Sequence, residues 1–222
     1  MTIAVFIPAY NEAERIGATV EGAWSIEGVD RVTVVDDGST DDTRVKALIA
    51  GASVVRLEEN VGKGGALTAA LEDAMFDYCL FLDADLGETA SQGVLLLAPV
   101  VAGEADMAIA RFPRPAKKVG FGKVKGLAAN AIARVDPTFD CQAPLSGQRA
   151  LTAACAKAIV PLADGFGAEV AMTIRALQAG MRLLEVETEM SHAATGNDLA
   201  GTLHRARQYR DVRRALYNID ML

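Results

Sequence analysis

Strands and helices alternate along the first half of the chain, and this order constrains the fold more than any other feature of the sequence. Largely apolar runs at residues 3–8, 32–35, 54–57 and 79–83 predict strands, and helical patterns follow at 12–24, from 40 or 41, and at 65–76. The strands are apolar nearly throughout instead of alternating apolar and polar residues, which is typical of strands buried on both faces. The sequence therefore predicts an α/β fold with a mainly parallel sheet flanked by helices on both faces.

The second half of the chain is less regular, but it continues the same mixture of elements. Residues 106–111 and 182–186 predict two more strands, and residues 122–134 predict a helix. Residues 168–179 have an amphipathic helical pattern that ends at Gly180, a residue type common just after a helix. Because no internal repeat or low-complexity linker interrupts the chain, we expect a single domain over residues 1–222, with a first half (1–111) and a second half (112–222).

Charge divides unevenly between these two halves. The first half carries 19 acidic and 7 basic residues, whereas the second half carries 10 acidic and 15 basic residues. An acidic half suits a bound cation, and a basic half suits an anionic partner or a membrane surface. The net charge of −7 and the lack of interleaved aromatic and basic residues argue against nucleic-acid binding.

Cysteine usage and the start of the chain indicate its setting. Cys79, Cys141 and Cys155 are odd in number and show no C-x-x-C spacing, so we expect buried free thiols in a reducing compartment. The N-terminal residues lack a basic stretch before an apolar core, and the apolar run 94–102 is far shorter than the roughly 20 residues of a membrane-spanning helix. These features predict a cytoplasmic protein.

The C-terminal segment from Leu203 has the pattern of a basic helix. It carries five arginines, with leucine, alanine and tyrosine residues on another side. Such a helix suits peripheral contact with the inner face of a membrane. Packing onto the domain, or onto a second subunit in a homodimer, explains the same pattern, and the sequence leaves these settings open.

Polar residues follow each of the first four predicted strands. They occupy residues 8–12, 36–39, 60–65 and 83–85. In open sheets of this kind, ligands bind outside the carboxyl ends of the strands. We therefore expect the four loops to meet at one edge of the sheet and to form a binding site there.

The last of these loops carries Asp83 and Asp85 with one residue between them. Two carboxylates at a strand exit supply hard oxygen ligands for Mg²⁺ or Mn²⁺, and a metal-bridged diphosphate is a good leaving group. Lys63, flanked by glycines, can reach a base or a phosphate, and Asp37 can accept an N–H from a base edge. The chain lacks a Walker loop and a G-x-G-x-x-G fingerprint, which argues against an ATPase and a dinucleotide dehydrogenase.

Four motifs of the first half, IPAYNEAERI, VVDDGSTDDT, NVGKGGAL and FLDADL, resemble the nucleotide-sugar half of family-2-like glycosyltransferases. The resemblance covers residues 3–88 and implies a Rossmann-like GT-A fold that binds a nucleotide diphosphate sugar as donor. It implies that Asp37 meets the base with Lys63 beside it. It also implies that Asp83 lies near the ribose and that Asp85 binds an Mn²⁺ or Mg²⁺ ion through the diphosphate. The nucleoside pocket would be lined by Pro8, Ala9, Tyr10 and Glu12.

The second half is similar to two kinds of glycosyltransferase. The segment GFGAE at 165–169 resembles a Gly-Phe-x-x-Glu segment of polyprenyl-phosphate glycosyltransferases. The segments PLSGQRAL, GFGAEV and MSHAATGND are similar to segments of glucosyl-3-phosphoglycerate synthases. This second resemblance implies that Ser146 and Gly147 shape the acceptor loop, that Glu169 faces the acceptor hydroxyl, and that His192 completes the metal shell.

These features predict a metal-dependent glycosyltransferase in which Glu169 and Asp85 are the catalytic residues. It would move a sugar from a UDP- or GDP-sugar to an anionic acceptor, either a phosphorylated small molecule or a polyprenyl phosphate. Four lysines offer a grip on such an acceptor: Lys117, Lys118, Lys123 and Lys125. Two alternatives stay open. A sugar-phosphate nucleotidyltransferase would use similar acidic loops, and a non-catalytic protein would bind the nucleotide sugar without turnover.

Overall fold

The computed structural model of the chain describes residues 1–72, 74–113, 122–163, 165–191 and 199–218. For residues 123, 166 and 199–208 it describes the backbone alone. The first half contains β1 (Ile3–Ala9), α1 (Ile16–Trp24), β2 (Val29–Asp36), α2 (Thr43–Ile49), β3 (Ser53–Arg56), α3 (Gly62–Leu71), β4 (Tyr78–Phe81), a 3₁₀ turn (Gly87–Gln92), α4 (Gly93–Val101) and β5 (Met107–Arg111). The second half contains α5 (Gly122–Val135), β6 (Arg149–Thr152), α6 (Ala153–Ile159), a 3₁₀ turn (Gly165–Gly167), α7 (Ala168–Gln178), β7 (Leu183–Glu187) and α8 (Leu199–Asn218).

The described strands form one sheet in the order β3-β2-β1-β4-β6-β5-β7. Neighbouring strands are parallel except at β6, which runs antiparallel to both β4 and β5. The mainly parallel sheet predicted from the sequence is confirmed. The sequence does not predict β6, because the polar residues Gln148 and Arg149 interrupt the apolar pattern where this strand begins.

Helices cover both faces of the sheet, as the continuous apolar strands predict. In β1, Val5 and Ile7 belong to a cluster that includes Val20 of α1 and Leu96 of α4. Phe6 belongs to a second cluster, formed with residues of α3, α6 and α7. Because successive strand residues point to opposite faces, an apolar residue at every position of a strand is buried on one side or the other. A third cluster joins α5, α7 and α8.

Several element boundaries differ from those that the sequence predicts. The fourth strand ends at Phe81 instead of residue 83, so Asp83 and Asp85 both lie in the turn that follows it. The third helix begins at Gly62 instead of Gly65, which places Lys63 in its first turn. The first helix begins at residue 16 and not at 12, and the second begins at residue 43. Gly180 follows α7 with a φ of 73°, as expected of a residue that ends a helix.

Two observations bear on the predicted setting of the chain. The three cysteines are buried free thiols, as the sequence predicts. In the part of the chain that the structure describes, no helix has both the length and the apolar composition needed to cross a membrane. A single domain, a cytoplasmic location, membrane contact by the C-terminal helix and a homodimer stay predictions.

Candidate active site

The four polar loops that follow β1 to β4 meet at one edge of the sheet, as the sequence predicts. The backbone N–H of Asn11 donates to Ser39 Oγ at 3.0 Å and joins the first loop to the second. Asp37 joins the second loop to the start of α3. Lys63 in turn joins α3 to Asp83 in the turn after β4. The loops therefore form one continuous site.

Asp37 fixes the start of α3. It is only 3% exposed, and its two carboxylate oxygens accept the N–H groups of Val61 and Gly62, both at 2.8 Å. Amides at a helix start have no partner within the helix, so this carboxylate from another loop satisfies them. Gly62 has a φ of 81°, which favours glycine. The distant carboxylate explains why α3 begins at Gly62 and not at the predicted Gly65.

Lys63 connects the two halves of the candidate site. Its Nζ forms an ion pair with Asp83 Oδ1 and lies 3.3 Å from Glu169 Oε1. Its side chain is 24% exposed, and that of Glu169 is 10% exposed. Burial alone would lower the pKa of Lys63, but the negative charges of Asp83 and Glu169 outweigh it and raise the pKa above its usual value. Lys63 is thus a fixed cation between a carboxylate of the first half and one of the second half.

Gln148 holds the other oxygen of Asp83, and the sequence reasoning does not single it out. Its Nε2 donates to Asp83 Oδ2 at 2.6 Å, and the residue is fully buried. Gly147, two residues before β6, also lies beside Asp83. A Cβ at Gly147 would overlap Lys63 Nζ and lie 3.1 Å from Asp83 Oδ1. The place of Gln148 beside Gly147 in PLSGQRAL is the sequence signal that could have found it.

Asp85 and Glu12 concentrate negative charge at the same edge. Asp85 is half-buried in the turn after β4, and Glu12 is half-buried in the loop after β1. Burial raises the pKa of Glu12, and the negative charge of Asp85 raises it further. Carboxylates that repel one another in this way favour a bound cation, and oxygen ligands suit Mg²⁺ or Mn²⁺. Among the described residues, no group of three His, Cys, Asp or Glu side chains could hold a metal ion, so a metal here would need further ligands such as phosphate oxygens and water.

Glu169 is the second residue of α7 and is 8% exposed. The main-chain oxygen of Glu169 accepts from Arg149 Nη2 at 2.8 Å. Ser146, a predicted acceptor-loop residue, is also 8% exposed, and its main-chain oxygen accepts from Arg149 Nε at 3.0 Å. The sequence reasoning does not find Arg149, because an arginine is rarely fully buried.

The structure describes the remaining predicted site residues in part. Pro8 and Ala9 end β1 and Tyr10 follows it, so the three border the edge where the loops meet. Ala9 is buried, whereas Tyr10 is 46% exposed. His192 and the side chains of three predicted lysines lie outside the described residues: Lys117, Lys118 and Lys123. The roles implied for these residues stay predictions.

A groove of about 490 Å³ runs beside α3. Residues of the loop after β3, of α3 itself and of the segment at Pro161 line it. Glu58, Glu59 and Glu72 make it acidic. Val61 and Gly65 of the predicted loop at 60–65 are part of its lining, so the groove adjoins the candidate site.

The chain is similar to proteins of known type. The family model described as glycosyl transferase family 2 matches residues 4–140. Glycosyltransferase AglJ of Haloferax volcanii is 33% identical over 199 residues, which cover 88% of this chain and 65% of that protein. Glucosyl-3-phosphoglycerate synthase of Mycolicibacterium smegmatis is 33% identical over 192 residues, which cover 78% of this chain and 63% of that protein. The chain therefore spans less than two thirds of the length of these curated relatives.

Solved structures agree with the fold. The crystal structure of glucosyl-3-phosphoglycerate synthase from Mycobacterium tuberculosis in complex with Mn²⁺, uridine diphosphate and glucosyl-3-phosphoglycerate matches with a TM-score of 0.79 and 29% identity. The match covers 98% of this chain and 79% of that chain. A structure of the same enzyme with Mg²⁺ and uridine diphosphate matches with a TM-score of 0.79 and 28% identity. The predicted GT-A fold is confirmed.

Proposed function

The chain belongs to glycosyl transferase family 2, and from this premise we propose that it transfers a sugar from a nucleotide diphosphate sugar to a phosphorylated acceptor. A UDP-sugar is the favoured donor, because the synthase of M. tuberculosis was crystallised with uridine diphosphate and glucosyl-3-phosphoglycerate. The observation that carries the proposal is the Lys63 contact. It brings Asp83 of the first half and Glu169 of the second half to one point.

The nucleoside is proposed to bind where the loops after β1, β2 and β3 meet. The exposed ring of Tyr10 offers an apolar face for the base. The two carboxylate oxygens of Asp37 accept the N–H groups of Val61 and Gly62, and those of Asp83 accept from Lys63 and Gln148. A carboxylate oxygen has two lone pairs, so Asp37 retains the capacity to accept from a base edge. The ribose is proposed to lie near Asp83.

The chemistry of the site fits a divalent cation at Asp85. Asp83 is oriented by Lys63 and Gln148, which suits a positioning role more than metal binding. The raised pKa of Glu12 reflects burial and the nearby negative charge of Asp85. A cation bound between these carboxylates would relieve their repulsion. When bound, Mn²⁺ or Mg²⁺ would neutralise the charge that develops on the diphosphate leaving group. His192 is the proposed further ligand.

Glu169 and the loop at Ser146 and Gly147 form the proposed acceptor side. Lys63 lies within ion-pair distance of Glu169, whose carboxylate is proposed to accept a hydrogen bond from the attacking hydroxyl at about 3 Å. The excess of basic residues in the second half suits a phosphate group. A phosphorylated small molecule is favoured over a polyprenyl phosphate, because glucosyl-3-phosphoglycerate synthases match most of this chain in both sequence and structure.

The proposal is tested by a transfer assay. The protein is incubated with UDP-, GDP- and ADP-glucose and with UDP-galactose, in Mn²⁺ or EDTA, with 3-phosphoglycerate or a short-chain polyprenyl phosphate. Release of nucleoside diphosphate and the mass of the product are measured. We expect metal-dependent release of UDP together with a glycosylated phospho-acceptor, and a loss of about 10²-fold or more in the Asp85→Asn variant.

Three outcomes would contradict the proposal in different ways. If only polyprenyl phosphate yields a glycosylated product, the acceptor is a polyprenyl phosphate and not a phosphorylated small molecule. Formation of pyrophosphate from UTP and a sugar phosphate would indicate a nucleotidyltransferase. Metal-dependent binding of every donor with no nucleotide release would indicate a protein that binds nucleotide sugars without catalysis.

A further inference from the structure

We propose that Arg149 is a positioning residue that ties the acceptor-side loop to the first turn of α7 and thereby fixes Glu169. The inference deepens the proposed function and rests on it for its kinetic consequence. The hydrogen bonds on which it is based do not depend on the proposed function. Arg149 is fully buried and donates to the main-chain oxygens of Ser146 and Glu169, so it would act through the main chain that it binds.

The guanidinium of Arg149 holds together segments that are distant in sequence. Its Nε donates to the main-chain oxygen of Ser146 at 3.0 Å. Its Nη2 donates to the main-chain oxygen of Glu169 at 2.8 Å, and its Nη1 donates to Thr173 Oγ1 at 2.9 Å. The hydroxyl of Thr173 donates to the same oxygen of Glu169 at 3.1 Å. One side chain thus sets the distance between the acceptor loop and the start of α7.

A guanidinium at this position is costly, and its geometry explains what it supplies. Burial lowers the pKa of Arg149, which reflects the unfavourable desolvation of its charge. An apolar side chain of similar size would fill the same space at a lower desolvation cost. The planar guanidinium, however, donates in several fixed directions at once, and an apolar side chain could not hold the oxygens of Ser146 and Glu169 in register.

Arg149 and its neighbour Gln148 act on the two carboxylates that Lys63 connects. Successive residues of an extended segment point to opposite sides. Gln148 accordingly reaches Asp83, whereas Arg149 reaches the main chain of Glu169 from within the core. The start of β6 therefore positions one carboxylate from each half of the site. Loss of Arg149 should loosen the segment that carries Glu169 and leave the hydrogen bonds of Asp37 with Val61 and Gly62 intact.

The structural arm of the test measures hydrogen exchange by mass spectrometry in the variants Arg149→Met, Arg149→Lys and Thr173→Val. Arg182→Met is the matched control, because Arg182 binds Asp106 and the main chain of Gly103 at the other end of the sheet. We expect faster exchange in the segments 143–151 and 165–174 in all three test variants and no change there in the control. Protection of both segments at the wild-type level in Arg149→Lys and Thr173→Val would overturn the proposal, even where Arg149→Met fails to fold.

The kinetic arm separates positioning from a general loss of stability. We expect Arg149→Met and Arg149→Lys to lower kcat by about 10²-fold, the scale of a small misplacement of a reacting group, with donor affinity within twofold of the wild type. Thr173→Val should show a smaller fall in kcat. A fall in donor affinity that accounts for the whole loss of kcat/KM, or a kcat at the wild-type level, would overturn the proposal. If the wild-type protein shows no transfer, the proposed function fails, and the exchange data alone decide whether Arg149 joins the two segments.

Discussion

Replacing Lys63 with methionine removes the cation that separates Asp83 from Glu169. Lys63 Nζ lies 3.3 Å from Glu169 Oε1, which at an effective dielectric constant of about 20 gives an attraction of about 5 kcal/mol before desolvation is counted. Desolvation of the buried ammonium offsets part of this attraction. The Lys63 side chain is 24% exposed, so the cost should lie at the lower end of the range for a buried ion pair that loses one partner. We therefore expect the free energy of unfolding to fall by about 3 kcal/mol.

The assay is urea unfolding of Lys63→Met, of Glu169→Gln and of the double variant, followed by circular dichroism. Glu169→Gln neutralises one of the two carboxylates that face each other once Lys63 is lost. The double variant should therefore lose less stability than the sum of the single variants, with a coupling of about 1 kcal/mol or more. A coupling below about 0.5 kcal/mol would refute the bridging role. Arg182→Met is the matched control: it breaks an exposed ion pair with Asp106 and should change the stability far less.

Three further predictions concern residues around this bridge. A Cβ at Gly147 overlaps Lys63 Nζ. Gly147→Ala should therefore cost a charge-assisted hydrogen bond and weaken nucleotide binding, measured by calorimetry, about tenfold. The control is Gly126→Ala, whose Cβ has open space, and equal binding by the two variants would contradict the prediction. Glu12→Gln should raise the melting temperature slightly at neutral pH and weaken metal-dependent nucleotide binding. The folded-state pKa of Glu12 lies above its usual value, so its ionised form destabilises the fold. The higher melting temperature of Glu12→Gln should therefore disappear as the pH falls through that raised pKa. A difference in melting temperature that stays constant across this pH range would argue against charge repulsion as its cause. Both carboxylate oxygens of Asp37 accept from the start of α3, and an asparagine amide in its place would retain only one of these acceptors. Asp37→Asn should therefore lower the free energy of unfolding by about 2 kcal/mol. A urea midpoint equal to that of the wild type would be inconsistent with this capping role.

The parallel sheet and the edge that carries the site could be predicted because their signals are local. Apolar runs such as 3–8 and 32–35 indicate strands buried on both faces. Turn residues directly after each run place the polar loops at the carboxyl ends of the strands. The structure bears out both features, and the contacts of Asn11 with Ser39 and of Asp37 with Val61 show the loops in contact.

The remaining features depend on contacts between residues far apart in the sequence. The start of α3 is set by Asp37, 25 residues before Gly62, and a local helix pattern contains no such information. The sequence predicts Lys63 near a base or a phosphate, but it cannot predict the pairing with Glu169, because that pairing requires the two halves to be placed against each other. Gln148 and Arg149 look like loop residues by polarity, although both are fully buried.

Calorimetric titration of UDP into the protein, with Mn²⁺ and with EDTA, tests the central claim most directly. The account predicts that Mn²⁺ tightens UDP binding about tenfold or more in the wild type, because the cation neutralises the charge of the diphosphate. It also predicts that Asp85→Asn abolishes this gain while the melting temperature of the variant is no lower than that of the wild type. Equal affinity for UDP in Mn²⁺ and in EDTA, or an undiminished effect of Mn²⁺ in Asp85→Asn, would contradict a metal-dependent donor site at this edge of the sheet.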